Sequence, residues 1–401
     1  MTCKKCNISK ICIFALSAIF TLAIVLSMCA IIGIGEVCNG ASVDFKSVGK
    51  SAYLVDVATG TVLYERNQNE RLPIASMVKI MTSLLAFEEI EIGQLSLDDD
   101  VCVSENAASM GGSQVFLDAG STHKAGELIK SIIVASANDS CVAIAEHISG
   151  SVEKFVEKMN DRARDMGMVN TRFKNCTGLP VPESFSCAKD VAIMFSHLIE
   201  HEQYFEYAKI WLEDFKHPDG RVTSITNTNK LVRFYNGCDG GKTGFTSEAK
   251  FCLSATAKRD DMRVIAVVIG ADSSKIRNSA VSGMFDYAFA NFSNEIVLEK
   301  EKPISLNIEV SGAKKNTLDV GAQNNLSRFV AKDDKASYDI KYEIEKCIKA
   351  PVQAGDVVGV AHLVKDGVVI DSVNIIALES VDRLTYFDAI GEIAKNWGTQ
   401  K

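Results

Sequence analysis

Ser76 and Lys79 stand three residues apart in a stretch suited to nucleophilic attack on a carbonyl. An unassisted serine hydroxyl is a poor nucleophile and needs a base beside it. Pro73-Ile74-Ala75 leads into a run where Ile80, Leu84, Leu85 and Phe87 recur at helical spacing. Ser76 is therefore expected at the start of a helix, with the Lys79 amine one turn on and on the same face. A helix N-terminus also offers free backbone N–H groups to developing negative charge. Lys79 accepts a proton only when neutral, and burial together with a nearby cation, Lys242, would lower its pKa from the usual value near 10.4.

That spacing alone carries little weight, because Ser-x-x-Lys recurs along the chain, at Ser47, Ser121, Ser151, Ser186 and Ser247 among other places. Ser47 precedes Gly49, Ser121 follows Gly120, and Ser247 falls just after Lys242-Thr243-Gly244. Ser151 opens a plausible helix and is the serious rival, but Glu153 and Lys158 give that helix the pattern of a charged surface. Ser-x-Asn occurs at Ser104, Ser136, Ser305 and Ser372. At Ser136-Ala137-Asn138 it interrupts an apolar helical pattern that runs from Ala125 to about Ser149. Lys-Thr-Gly occurs once, at Lys242-Thr243-Gly244, after Asp239-Gly240-Gly241 and before a strand-like run.

The elements that must position these groups read as an antiparallel sheet with helices packed on it, an α+β domain. Ala52–Val57 and Val62–Arg66 are strand-like around the turn Ala58-Thr59-Gly60. Asp260–Met262 turns between Phe251–Ala257 and Arg263–Ile269, and Val281–Phe292 reads as a closing helix. Past Asn294, the runs Ile304–Val310, Tyr338–Ile344, Val357–Val364 and Val368–Ile376 predict a small all-β domain. The expected division is an N-terminal segment over 1–41, a catalytic domain over 42–296, a β-rich domain over 297–380 and an amphipathic tail over 381–401. In the tail, Leu384, Phe387, Ile390, Ala394 and Trp397 share a helical face, which fits packing on the protein better than binding an anionic membrane.

Lys4, Lys5 and Lys10 precede an uncharged apolar run from Ile11 to Ile34, ended by Glu36. About 20 apolar residues span a bilayer, and the lysines before the run predict the N-terminus inside and the remainder outside. Cleavage near Ala41 is left open. The net charge of −8, with no basic face, argues against a nucleic-acid partner and for wall polymer or a small substrate. The seven cysteines after residue 38, of twelve in the chain, are scattered without CxxC pairs or zinc spacing and read mostly as free buried thiols.

In the order Ser76, Ser136, Lys242 the three motifs resemble those of the low-molecular-mass penicillin-binding proteins, the serine-type D-alanyl-D-alanine carboxypeptidases. The resemblance covers roughly residues 45–295, and the β-rich region in outline. It extends to Gly112-Ser113, Ala135–Asp139, Asn170-Thr171-Arg172-Phe173, Thr177-Gly178-Leu179, Asn227–Leu231 and Lys242-Thr243-Gly244-Phe245-Thr246. It implies the penicillin-binding, β-lactamase-like transpeptidase fold followed by a small all-β domain, with no metal and no organic cofactor. The substrate implied is a peptidoglycan stem peptide ending in D-Ala-D-Ala, and β-lactams would acylate the same serine. By the resemblance, Ser76, Lys79 and Ser136 are catalytic, with Ser136 passing a proton to the leaving D-alanine. Asn138 would orient Lys79 and the substrate amide. The Ser76 and Phe245 N–H groups would form the oxyanion hole, and Lys242, Thr243, Gly244 and Arg277 would line the carboxylate end.

Three alternatives share these motifs. A class A β-lactamase needs a further carboxylate for deacylation, and Asn170–Leu179, where it is expected, has no acid. A cross-linking transpeptidase or an endopeptidase has the same triad, but only about 10 residues separate the apolar segment from the fold, which leaves no room for the extra domain of large synthetic relatives. An inert penicillin-binding receptor would be expected to lose the serine or the lysine, and both are present. Similar chains with Phe245 include spore-cortex enzymes, so a role in sporulation stays open.

Overall fold

The computed structural model describes residues 49–332 and 338–385. The segment expected over 1–41 and the tail beyond residue 385 lie outside the described residues. Among the described residues no helix is long and apolar enough to cross a membrane.

Strands β1 (Ser51–Asp56) and β2 (Val62–Arg66) form the hairpin at the start of the fold. A 3-10 turn, Ala75–Val78, runs directly into helix α1 (Lys79–Glu91). After the short pair β3 (Asp100–Cys102) and β4 (Thr122–Lys124) come α2 (Ala125–Ala135), α3 (Asn138–Ser149), α4 (Val152–Asp165), α5 (Ala188–Leu198) and α6 (Glu202–Ala208). The hairpin β5 (Leu212–Lys216) and β6 (Val222–Thr226) precedes the three long strands β7 (Cys238–Thr246), β8 (Lys250–Arg259) and β9 (Met262–Ala271). Helix α7 (Ser274–Asn291) closes the unit.

The main sheet is antiparallel in the order β2-β1-β9-β8-β7, so β7 lies at an edge with one side free for a ligand. Its central strands are apolar on both faces, which is why they read as continuous runs rather than alternating ones. On one face Cys252, Ile265, Val267 and Ile269 meet the helical layer built around α1. On the other, Leu253, Ala255, Val264, Ala266 and Val268 meet Val281, Met284, Phe285 and Ala288 of α7. Helix α1 sits in the middle of the helical layer, with Met81, Leu84, Leu85 and Phe87 at most 1 % exposed. Burial on all sides explains its weak amphipathic signal.

The remaining described residues form a β-rich unit with its own apolar core, including Val310, Val320, Leu363 and Ile375. Its five-stranded sheet joins Pro303–Ile304, Val320–Ala322, Val368–Ala377, Val357–Lys365 and Tyr338–Ile344 in that spatial order. The α+β domain and the all-β domain expected from sequence are both present.

Three local expectations change. The continuous helical pattern from Ala125 to Ser149 is two helices, because Ser136 adopts the left-handed conformation (φ 64°, ψ 34°) between them. The closing helix begins at Ser274 rather than Val281, since Ser273 caps it by accepting a hydrogen bond from the Ile276 N–H. Its first turn is polar and shows no apolar periodicity. The expected strand Ile304–Val310 is likewise divided, into Pro303–Ile304 and Glu309–Ser311.

Candidate active site

Ser76 lies in the 3-10 turn, and the Lys79 side chain, wholly buried, turns back to it with Nζ 3.1 Å from Ser76 Oγ. The same amine stands 2.6 Å from Asn138 Oδ1 and 2.6 Å from the Thr177 carbonyl. Three oxygens, of Ser76, Asn138 and Thr177, thus surround the one amine within hydrogen-bond reach. Burial holds the Lys79 pKa below the usual lysine range. The added effect of a neighbouring cation, expected on Lys79, falls on Lys242 instead: burial lowers it strongly, and the charge of Lys79 lowers it further.

The backbone of the nucleophile's turn is held between two glycines. Ala75 has φ 49°, an unfavourable conformation for a residue with a Cβ. A Cβ on Gly178, itself at φ 79°, would lie 2.1 Å from the Ala75 carbonyl oxygen and 2.9 Å from the Ser76 nitrogen. A Cβ on Gly244 would lie 2.6 Å from the Ile74 carbonyl oxygen. Glycine at 244 thus lets edge strand β7 approach the Ser76 turn closely, with Phe245 next along the strand.

Asn138 is fixed from three directions. Its N–H donates to the Ser113 carbonyl at 2.7 Å, its Nδ2 donates to the Gly111 carbonyl at 2.6 Å, and its Oδ1 receives Lys79. Its neighbour Asp139 accepts from the Val115 and Leu117 N–H groups at 3.1 Å each, holding the loop after Gly112 against α3. Ser136, 4 % exposed, precedes Asn138 by two residues at the break between α2 and α3.

Lys242 is 4 % exposed, and its Nζ donates to the Thr243 carbonyl at 3.0 Å. The strand before it is anchored by a buried tyrosine: Tyr204 Oη accepts from the Gly241 N–H at 2.9 Å, and Asn229 Nδ2 donates to the Gly240 carbonyl at 3.2 Å. Arg277 is in the first turn of α7, ahead of the expected start at Val281, and 6 % exposed. Its Nη1 donates to the Cys252 carbonyl at 3.4 Å, and Cys252 is the cross-strand partner of Gly244. Its other hydrogen bonds go to Asn278 Oδ1, and among the described residues no carboxylate pairs with it.

Ser76, Lys79 and Asn138 are therefore joined by hydrogen bonds, and Lys242, Thr243, Gly244 and Phe245 are brought alongside on β7. The rival Ser151 instead caps α4, accepting from the Lys154 N–H. Tyr204, Asn229 and the Thr177 carbonyl were not singled out for these contacts, and a backbone carbonyl has no side-chain signature to find. All seven described cysteines are free thiols, five of them buried. Burial pushes Cys141 up to about 11 and Cys252 likewise to about 11, so neither competes as a nucleophile.

A buried lysine bonded to a serine at a helix start, beside an open sheet edge, is the arrangement of a serine acyl-transfer enzyme. The family model described as D-alanyl-D-alanine carboxypeptidase matches residues 39–273, and that of the penicillin-binding protein 5 C-terminal domain matches residues 292–383. The chain belongs to the D-alanyl-D-alanine carboxypeptidase family and is a serine-type carboxypeptidase. It is 39% identical over 350 residues to the D-alanyl-D-alanine carboxypeptidase DacF of Bacillus subtilis, covering 87% of this chain and 90% of that one. Penicillin binding protein 5 from Haemophilus influenzae superposes with a TM-score of 0.68 at 31% identity, over 84% of this chain and 98% of that one. A peptidoglycan synthesis regulatory factor, PBP3, from Streptococcus pneumoniae gives 0.70 at 27% identity, over 84% and 100%.

Proposed function

We propose that this carboxypeptidase removes the terminal D-alanine from peptidoglycan stem pentapeptides through an acyl-enzyme on Ser76, and that β-lactams acylate the same hydroxyl. The observation that carries the reading is the Lys79 amine, wholly buried and bonded to Ser76, Asn138 and Thr177. Lys79 takes the Ser76 proton as Oγ attacks the carbonyl of the penultimate D-alanine. The Ser76 and Phe245 N–H groups receive the oxyanion; one such donor is worth about 3–4 kcal/mol in related sites. As the C–N bond breaks, the proton passes from Lys79 through Ser136 to the departing amine. Water then attacks the ester, Lys79 again taking the proton, and Ser76 is restored.

The leaving residue's carboxylate is assigned to Thr243 and to Arg277, whose buried guanidinium has no acidic partner among the described residues. Its arrival supplies the countercharge that keeps Lys242 protonated in a site where burial opposes that charge. The catalytic domain is taken to end at residue 296 and the β-rich domain to span 297–380. The apolar run Ile11–Ile34 behind Lys4, Lys5 and Lys10 supports work at the outer face of the cell membrane, where this polymer lies. Intact-mass spectrometry after exposure to benzylpenicillin tests the nucleophile. The wild type gains one drug mass, mapped to the peptide holding Ser76, and Ser76→Ala gains none; a persistent adduct on Ser76→Ala would refute the assignment.

A further inference from the structure

We infer that His123 and His217 form a clasp that positions Asn138 through the loop 111–118, and that protonation of this pair in acid slackens the loop and slows the enzyme. The kinetic part of the inference rests on the carboxypeptidase reading above. Both histidines act through backbone carbonyls of the loop, as positioning residues.

His123 on β4 is 6 % exposed, and His217, which follows β5 directly, is 5 % exposed. Their rings meet edge to face with centroids 5.8 Å apart, and both lie against Phe215, at 5.4 and 5.1 Å. Each imidazole starts a two-step relay to the loop. His217 Nε2 is 2.9 Å from Thr223 Oγ1, whose hydroxyl donates to the Val115 carbonyl at 3.3 Å. His123 Nε2 is 3.1 Å from Ser121 Oγ, whose hydroxyl donates to the Asp118 carbonyl at 2.6 Å. A hydroxyl has one proton to give, and in both relays the carbonyl takes it. Each Nε2 is therefore the donor, which leaves Nδ1 of the neutral ring as an acceptor. At His217 that acceptor faces Arg221 Nη2 at 3.5 Å. Arg221 in turn donates to the Phe116 carbonyl at 3.0 Å and pairs with Asp118.

The loop held this way bears on the catalytic amine. The Val115 N–H donates to Asp139, the Asn138 N–H donates to the Ser113 carbonyl, and Asn138 Oδ1 receives Lys79. Phe116 has φ 66° and is 53% exposed between the anchored residues Val115 and Leu117, a strained conformation that only its surroundings maintain. A proton on His217 Nδ1 puts a second cation where Arg221 had an acceptor, and the strained segment loses a support. Burial is the main cause that holds both imidazoles below the ordinary 6.5. His123 is lowered further by His217 and Arg221, and His217 by Arg221; Asp118 and Asp139 oppose this at both rings, and Asp219 at His217. Lys124 and Lys216, the adjacent strand residues, are exposed on the opposite faces. The unfolded state thus binds more protons just below pH 6.5, and stability falls as pH drops through that window.

The test compares full-length wild type in detergent with the double variant His123→Gln, His217→Gln, which keeps an amide donor at both places and removes both titrating rings. kcat/KM for a peptide ending in D-Ala-D-Ala is followed from about pH 8 to about pH 5, the range in which a histidine titrates. Both enzymes share Lys79, so its protonation cancels in their ratio. The variant-to-wild-type ratio is expected to be level above about pH 7 and to climb by about threefold or more toward pH 5, within the limit of about tenfold per pH unit for one proton. A ratio that is flat throughout overturns the inference and leaves the carboxypeptidase reading standing. Amide exchange of the 111–118 segment in wild type, corrected for the intrinsic effect of pH on exchange, supplies a second measurement that needs neither substrate nor variant. Protection should fall between about pH 7 and about pH 5 while the main-sheet amides keep theirs. Unchanged protection of the segment overturns the clasp even where the variant fails to fold or the peptide is not cleaved.

Discussion

Gly178 and Ser76 are 102 positions apart in sequence, yet a single methyl group on the glycine would reach within 2.9 Å of the serine's backbone nitrogen. That nitrogen is one of the two proposed oxyanion donors, so the loop around Gly178 sets where the donor points. Gly178→Ala is expected to slow penicillin acylation by roughly 100-fold, the scale of a 1 Å misplacement of reacting groups. It should also lower the melting temperature, because alanine at φ 79° is strained and its Cβ would overlap the Ala75 carbonyl. Unchanged acylation in stopped-flow measurements would remove Gly178 from the account.

Lys242 is nearly buried and its amine has one hydrogen bond, to its own neighbour's carbonyl. Keeping it costs stability. Its folded pKa lies well below the unfolded value near 10.5, so the unfolded state binds more protons between those two pH values. Stability must therefore rise with pH through that window. Lys242→Met should abolish turnover, raise stability by about 0.5–2 kcal/mol near neutrality, and lose this advantage as pH approaches 10. Denaturant titrations at several pH values check it; a variant less stable at every pH would contradict it.

Tyr204 holds the strand from behind, through the Gly241 N–H. Tyr204→Phe leaves a buried donor without its acceptor, at a cost of about 1–3 kcal/mol. Because Gly241 directly precedes Lys242, KM for a D-Ala-D-Ala peptide should rise more than kcat falls. A loss of stability with unchanged kinetic constants would make the tyrosine purely structural.

Lys79 as base predicts a particular pH profile. Acylation should rise with pH as the amine loses its proton and level off below the usual lysine range, because burial lowers its pKa. Lys79→Arg, permanently protonated, should be slower by about 10²–10⁴-fold, the usual contribution of a general base. A rise continuing toward pH 10.5 would indicate an ordinary solvated lysine.

How much of this was legible beforehand follows from the kind of signal each part leaves. The β1–β2 hairpin and the long strands announce themselves by apolar runs and polar turns, and the three motifs are side-chain patterns. Ser136 was visible as an interruption of an apolar helix, though its left-handed backbone was not. The early start of α7 was missed because its first turn is polar and gains its order from the Ser273 cap. Arg277 lies in that same turn, so its helical placement left no periodic signal either. The Thr177 carbonyl was invisible for a simpler reason: any residue supplies that atom, and only the fold brings it 2.6 Å from Lys79. The Tyr204 contact likewise joins residues 37 apart with no periodicity between them.

The most direct test of the central claim is to incubate the full-length wild type and Ser76→Ala with a muropeptide ending in D-Ala-D-Ala and to follow the products by mass spectrometry. The account predicts loss of one alanine residue with wild type, little cross-linked dimer, and no change with Ser76→Ala. Alanine release by Ser76→Ala at the wild-type rate, or an intact substrate after prolonged incubation with wild type, would contradict it.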